Sequence, residues 1–140
     1  MKKITKALLL LLAVIFVVAC DKGPPKTEFF LNEEATIDNL VITLKQARTT
    51  QDNQIELTFS ITNKNKNTYT LDPDTNFKFY DINQVQIPNT YQNNNNIIKK
   101  NETISYTLNY NTSKNLYEIL FYSGVVENNI KFTVNNSDIK

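Results

Sequence analysis

The chain has 140 residues, 41% of them hydrophobic, with 15 Lys and Arg against 14 Asp and Glu, one Cys, and neither His nor Trp. That length fits one domain, and a net charge of +1 supplies no general basic field for nucleic acid. Without His, the usual nucleophilic triads and His-ligated zinc sites are excluded, and a single Cys cannot close an internal disulfide.

The N-terminal stretch differs from the rest. Lys2, Lys3 and Lys6 precede thirteen unbroken apolar residues at positions 7–19, and Cys20 follows. A basic stretch, a short apolar run and a small residue before the cut predict an export signal over residues 1–19. The apolar run is well short of the ~20 residues that a membrane-spanning helix needs. The tetrapeptide Val17-Val18-Ala19-Cys20 resembles the bacterial lipobox. The resemblance implies that diacylglycerol alkylates the Cys20 thiol, that a peptidase cuts after Ala19, and that Cys20 becomes the mature N-terminus. Two or three acyl chains at ~0.8 kcal/mol per buried CH₂ hold durably to a bilayer. The membrane is therefore one expected partner, and the outer face of the cell membrane the expected location. In a Gram-negative host Asp21 would resemble an inner-membrane retention signal; in a Gram-positive host it carries no such meaning. Beyond residue 19, 121 residues remain, with 12 basic and 14 acidic side chains.

Residues 20–34 read as the lipidated Cys and a flexible tether. Gly23, Pro24 and Pro25 favour an extended, weakly structured segment. Phe29, Phe30 and Leu31 form a first short strand or simply pack against the domain. Residues 35–140 read as that domain. Leu40, Ile42 and Leu44 alternate with Val41, Thr43 and Lys45, and Ile55, Leu57, Phe59 and Ile61 alternate with polar residues. Phe77 and Phe79 flank Lys78, Val85 and Ile87 flank Gln86, and Ile104, Tyr106, Leu108 and Tyr110 share one phase. Ile130, Phe132 and Val134 repeat the pattern. A period of two marks strands with one buried and one wet face. Residues 117–122 are apolar on both sides apart from Glu118; a covered strand or a short helix fits, and the strand is favoured.

Turns punctuate these runs. They fall at the Asn-rich 63–67 segment, at Asp72-Pro73-Asp74, at residues 81–84, at the four Asn of 93–96, and at Ser123-Gly124. Seven or so short strands over ~100 residues predict an antiparallel β-sandwich. Asn occurs 21 times, and Asn, Lys, Ile, Tyr and Phe together make 64 residues. All five have A/T-rich codons, so genome composition accounts for the bias and points to low-GC bacteria.

The strand and turn pattern of residues 55–65, 69–72, 77–81 and 98–110 is similar to the immunoglobulin-like extracellular domain of Gram-positive lipoproteins. That family is also labelled telomeric-repeat-binding-like, although it is exported, and secreted mycobacterial immunogenic antigens share its fold. The resemblance implies an all-β fold, an immunoglobulin-like sandwich of about seven to nine short strands, and transfers no catalytic residue. Two turns that tend to carry Gly in that family carry Asn83 and Asn101 here; Asn tolerates the left-handed backbone such turns need.

Candidate chemistry is sparse. Asp72, Asp74 and Asp81 are a start toward the six to eight oxygens of a Ca²⁺ site, but turn capping accounts for the same residues. Tyr69, Tyr80, Tyr91 and Tyr122 are candidates for an exposed binding face, whereas Tyr106 and Tyr110 follow the core phase. The pairs Lys64/Lys66 and Lys99/Lys100 are short basic spots suited to anionic lipid or wall polymers, or simply to solvent. Two glycines cannot build a phosphate-cradling loop, and no cofactor is expected. The expected function is a membrane-anchored, non-catalytic interaction module whose partner is a protein or cell-wall component, not a nucleic acid. A surface inhibitor or immunity (superinfection-exclusion) lipoprotein is the alternative, and a carboxylate-dependent glycosidase a more distant one.

Overall fold

A computed structural model describes residues 25–52, 54–88, 96–111, 116–124 and 128–140. The signal, its Val17-Val18-Ala19-Cys20 junction, Tyr91 and Asn93 lie outside the described residues. Eleven strands appear among those described: β1 (Glu28–Phe29), β2 (Glu34–Ile37), β3 (Leu40–Thr49), β4 (Gln54–Asn63), β5 (Tyr69–Leu71), β6 (Phe77–Asp81), β7 (Gln86–Ile87), β8 (Asn96–Ile98), β9 (Thr103–Asn111), β10 (Leu116–Tyr122) and β11 (Asn129–Thr133). A one-turn helix, α1 (Pro73–Asn76), joins β5 to β6, and a 3-10 turn (Asn136–Asp138) follows β11. Seven strands have four or more residues, as the alternation predicts, and the other four have two or three.

The strands form a five-stranded sheet in the order β1-β11-β10-β6-β7, a four-stranded sheet β2-β3-β4-β9, and a β5-β8 ribbon. The two larger sheets pack as an immunoglobulin-like sandwich. All pairings between these strands are antiparallel except β1 with β11, and one isolated parallel bridge joins Ala47 to Ile139. The core forms because each long strand turns one apolar phase inward: Ile55, Leu57, Phe59 and Ile61 on β4 meet Phe77, Phe79, Phe121 and Phe132 of the other sheet. Phe59 and Phe77 rings lie 5.0 Å apart across the layers, and Phe77 meets Phe121 edge-on at 5.1 Å. Such pairs add about 0.5–1.5 kcal/mol each to the burial of their area.

Several elements differ from the sequence reading, each for a local reason. The tether ends earlier than residue 34. Glu28 and Phe29 pair with Lys131 and Phe132, and the Lys131 amide donates to Thr27 O at 2.9 Å. Phe29 is buried against Phe132, which supplies the apolar contact that holds so short a strand. β3 runs on to Thr49 because a bulge between Leu44 and Gln46 absorbs Lys45 and shifts the inward phase onto Ala47. β7 starts at Gln86, and Val85 is exposed in the turn. Asn96 begins β8 rather than ending a loop tip. The 117–122 segment is a strand, as favoured, within β10, where Leu116, Ile119 and Phe121 are buried and a register shift falls between Leu116 and Glu118.

The left-handed backbone positions bear on the two Asn turns. Asn101 has φ 61°, as expected for an Asn in a glycine-type turn. At the β6–β7 hairpin the left-handed residue is Gln84 (φ 61°), not Asn83. Asp81 fixes that turn: its Oδ1 accepts the amides of Asn83 at 2.8 Å and Val85 at 2.9 Å, which offsets the roughly 1 kcal/mol cost of Gln84's backbone.

Candidate functional site: an open cleft at one end of the sandwich

The β2–β3 hairpin turns through Asp38 and Asn39, with φ 46° and 59°, the geometry of a two-residue turn whose twist matches its strands. Beside it lies the 64–68 loop, tied by a 2.8 Å bond from the Lys64 amide to Asn39 O. With Tyr69 and Ser123 these elements enclose an open cleft of about 710 Å³.

Two buried asparagines build its walls. Asn63 ends β4 on the inward phase and is fully buried. Its Oδ1 accepts the Asn65 amide at 2.9 Å, and its Nδ2 donates to Asn67 O and Ile98 O, both at 2.9 Å. Its main chain accepts from Asn101 N at 2.7 Å and donates to Glu102 O at 3.0 Å. One residue thus pins the 64–68 loop and the 99–102 turn together. Asn76 plays the same part on the other wall. Its Nδ2 donates to Tyr69 Oη at 2.9 Å and Tyr122 O at 2.7 Å, and its Oδ1 accepts the Asp72 amide at 2.7 Å.

Tyr69 is thereby held with its hydroxyl donating to Ser123 O at 3.1 Å. Burial pushes its pKa up to about 12, with the Asn76 bond opposing and Asp38 adding to the rise. It therefore stays protonated at neutral pH and acts as a hydrogen-bonding group. Asp38 joins the two sheets: Ser123 Oγ donates to its Oδ2, and Asn128 Nδ2 reaches both carboxylate oxygens at 3.2 Å. Lys64 and Lys66 are exposed at the rim. The cleft offers ammonium, hydroxyl, amide and one tightly held carboxylate, which is the chemistry of recognition by charge and hydrogen bonding.

The other sequence candidates are dispersed. Asp72 caps α1, its Oδ1 accepting the Asp74 amide at 3.1 Å, while Asp81 is buried at the far end of β6, ~13 Å of strand away. The three do not converge on a cation site. Tyr80 and Tyr122 share the outer face of the five-stranded sheet, where Lys78 Nζ lies 5.0 Å from the Tyr122 ring centroid. Tyr69 is in the cleft, so the three described tyrosines do not form one cluster. Tyr106 is buried as its phase predicts, stacked on Phe77 at 6.3 Å, and its hydroxyl has no hydrogen-bond partner among the described residues. Burial, followed by Asp72 and Asp74, pushes its pKa up to about 12. Lys64/Lys66 and Lys99/Lys100 come together at the cleft end through Asn63. Asn63 and Ser123 were read from sequence only as turn residues, and Asp38, Asn76 and Asn128 were not singled out, although Asp38-Asn39 between two apolar runs is a hairpin signal.

Neither a family model nor a curated protein matches the chain. Solved structures do. The YjhA protein from Bacillus subtilis superposes with a TM-score of 0.58 at 7% identity, over 76% of this chain and 98% of that one. YcdA from Bacillus subtilis, described as a candidate lipoprotein, gives 0.54 at 14% identity, over 82% of this chain and 40% of that one. MPT63, a secreted protein from Mycobacterium tuberculosis, gives 0.58 at 9% identity, over 79% of this chain and 99% of that one. At these identities the likeness is one of fold, and the chain shares the β-sandwich architecture of these proteins.

Proposed function

We propose that the chain is an extracytoplasmic lipoprotein, anchored through Cys20, whose immunoglobulin-like sandwich is a non-catalytic interaction module of the Gram-positive lipoprotein kind. The observation that carries this reading is the lipobox-like Val17-Val18-Ala19-Cys20 just upstream of a sandwich that begins at Glu28. A candidate lipoprotein and a secreted protein with the same fold support it. The partner is a protein or cell-wall component, met through loops or strand edges of the sandwich.

Processing tests the anchor. In a Gram-positive host the wild-type chain should be shortened, should incorporate radiolabelled palmitate and should sediment with membranes. Cys20→Ala, or globomycin treatment of the wild type, should abolish both the shortening and, for the variant, the label. Normal processing and membrane retention under both treatments would refute the lipoprotein reading.

A further inference from the structure

The cleft end of the sandwich is also the end at which the tether enters. β1 runs parallel to β11, with Glu28 opposite Lys131 and Thr27 bonded to the Lys131 amide. Pro25 and Lys26 therefore lead back toward Asn128, which bonds Asp38 in the cleft wall. Between Cys20 and Pro25 there are five Cα steps, at most about 18 Å of chain. A lipid on Cys20 would hold this end within about two Debye lengths of the bilayer surface at physiological salt.

Four exposed lysines stand at this end: Lys64 and Lys66 on one loop, Lys99 and Lys100 on the next. They are not independent surface charges. Asn63 bonds both loops, through Asn65 and Asn67 on one side and Ile98, Asn101 and Glu102 on the other. None of the four makes an ion pair among the described residues. Three of the carboxylates around them are engaged by the protein, and Asp74 is exposed. Asp38 is held by Ser123 and Asn128, Glu102 accepts the Lys99 amide at 2.6 Å, and Asp72 caps α1 beside Asp74. Ammonium groups on four-carbon stems reach further out than these.

We infer that the Lys64, Lys66, Lys99 and Lys100 end docks on the phosphates of anionic lipid headgroups in the membrane that carries the anchor. This rests on the anchoring proposed above. It fixes an orientation: the cleft end faces the bilayer, and the opposite end, where Ile82 and Val85 are exposed on the β6–β7 hairpin, faces outward toward the partner. The lysines add electrostatic attraction to the hold that the acyl chains provide.

Lysine footprinting tests it. The full-length protein, extracted from its host membrane in lipidated form, is reconstituted in vesicles of phosphatidylcholine, or of phosphatidylcholine with about one third phosphatidylglycerol. It is then acylated briefly with an amine-reactive ester and read by mass spectrometry. In anionic vesicles Lys64, Lys66, Lys99 and Lys100 should react about fivefold more slowly than in neutral ones, high salt should erase the difference, and Lys45 and Lys140 should be unaffected. Equal rates at the four lysines in the two vesicle types would overturn the docking while leaving the anchor intact. Equal slowing at Lys45 and Lys140 would overturn it as well. Protection as strong from soluble polyphosphate on neutral vesicles would assign the site to a phosphate polymer instead of the bilayer. A protein that fails to float with either vesicle would overturn the anchor and this inference together.

Discussion

Asn63 commits every polar atom it has to loop architecture, and its burial makes that commitment costly to break. Truncation to Ala removes three side-chain hydrogen bonds and leaves Ile98 O and the Asn65 amide without their partner. A buried group left unsatisfied costs about 1–3 kcal/mol. Asn63→Ala should therefore destabilise the domain by about 2–4 kcal/mol, whereas Asn67→Ala should change it by less than about 0.5 kcal/mol. Asn67 is exposed and contributes only its backbone carbonyl to the Asn63 network. Urea unfolding midpoints would separate the two, and similar shifts would mean that the pinning is not energetic. A signal for Asn63 existed in the sequence. It continues the inward phase of Ile55, Leu57, Phe59 and Ile61, so a polar residue there has to be buried and satisfied. It was hidden among 21 Asn that codon bias explains equally well. Asn76 had no such phase to reveal it, because it ends a one-turn helix and belongs to no strand.

The strands that the sequence reveals are those with a long apolar phase; the pairings it hides are short and depend on partners far away. β4 and β6 alternate without interruption and are legible residue by residue. β1 has two residues and no period of its own, and its place beside β11 comes from Phe29 packing on Phe132 and from charge. The Thr133 hydroxyl, donating at 2.6 Å, and then Lys131, at 3.3 Å, hold the Glu28 carboxyl below its ordinary value of 4.5. Lys26, with the Phe30 amide, does the same for Glu33. A carboxyl lowered by folding stabilises the native state fully above its unfolded value, and that contribution is lost as pH falls through the lowered one. Both groups are exposed, so each contribution is small, but both bracket the same short strand. β1 should accordingly release before the rest of the sandwich on acidification. Hydrogen exchange would show it. On going from about pH 6 to pH 3, the Lys131 amide should lose protection relative to its intrinsic rate, while the Leu57 amide in β4 stays protected. Equal behaviour of the two amides would mean that these carboxylates do not hold β1.

At the scale of the whole molecule, the fold class follows from periodicity, whereas the cleft follows from topology. Asp38, Tyr69, Ser123 and Asn128 meet only because chain segments 85 and 90 residues apart close on one end of the sandwich. No local pattern carries that information. What makes the closure a single event is the aromatic cluster between the sheets. Phe77 lies at its centre, 2% exposed, with Phe59 at 5.0 Å and Phe121 at 5.1 Å, and with the Phe79 and Tyr106 rings stacked on it. Phe77→Ala leaves a cavity in a rigid setting and should cost about 3–5 kcal/mol, a large part of the roughly 5–15 kcal/mol that holds a small domain together. Phe77→Leu keeps most of the volume and should cost less, about 1–2 kcal/mol. Because the cluster belongs to both sheets, the loss should fall on them together. Far-UV circular dichroism, which follows the strands, and tyrosine fluorescence, which follows the packing of rings such as Tyr106, should move to lower urea by the same amount and remain superimposable. Transitions that separate in Phe77→Ala would show that one sheet persists without the other, and that the hydrogen bonds between Asp38, Ser123 and Asn128 hold the cleft end without help from the aromatic core.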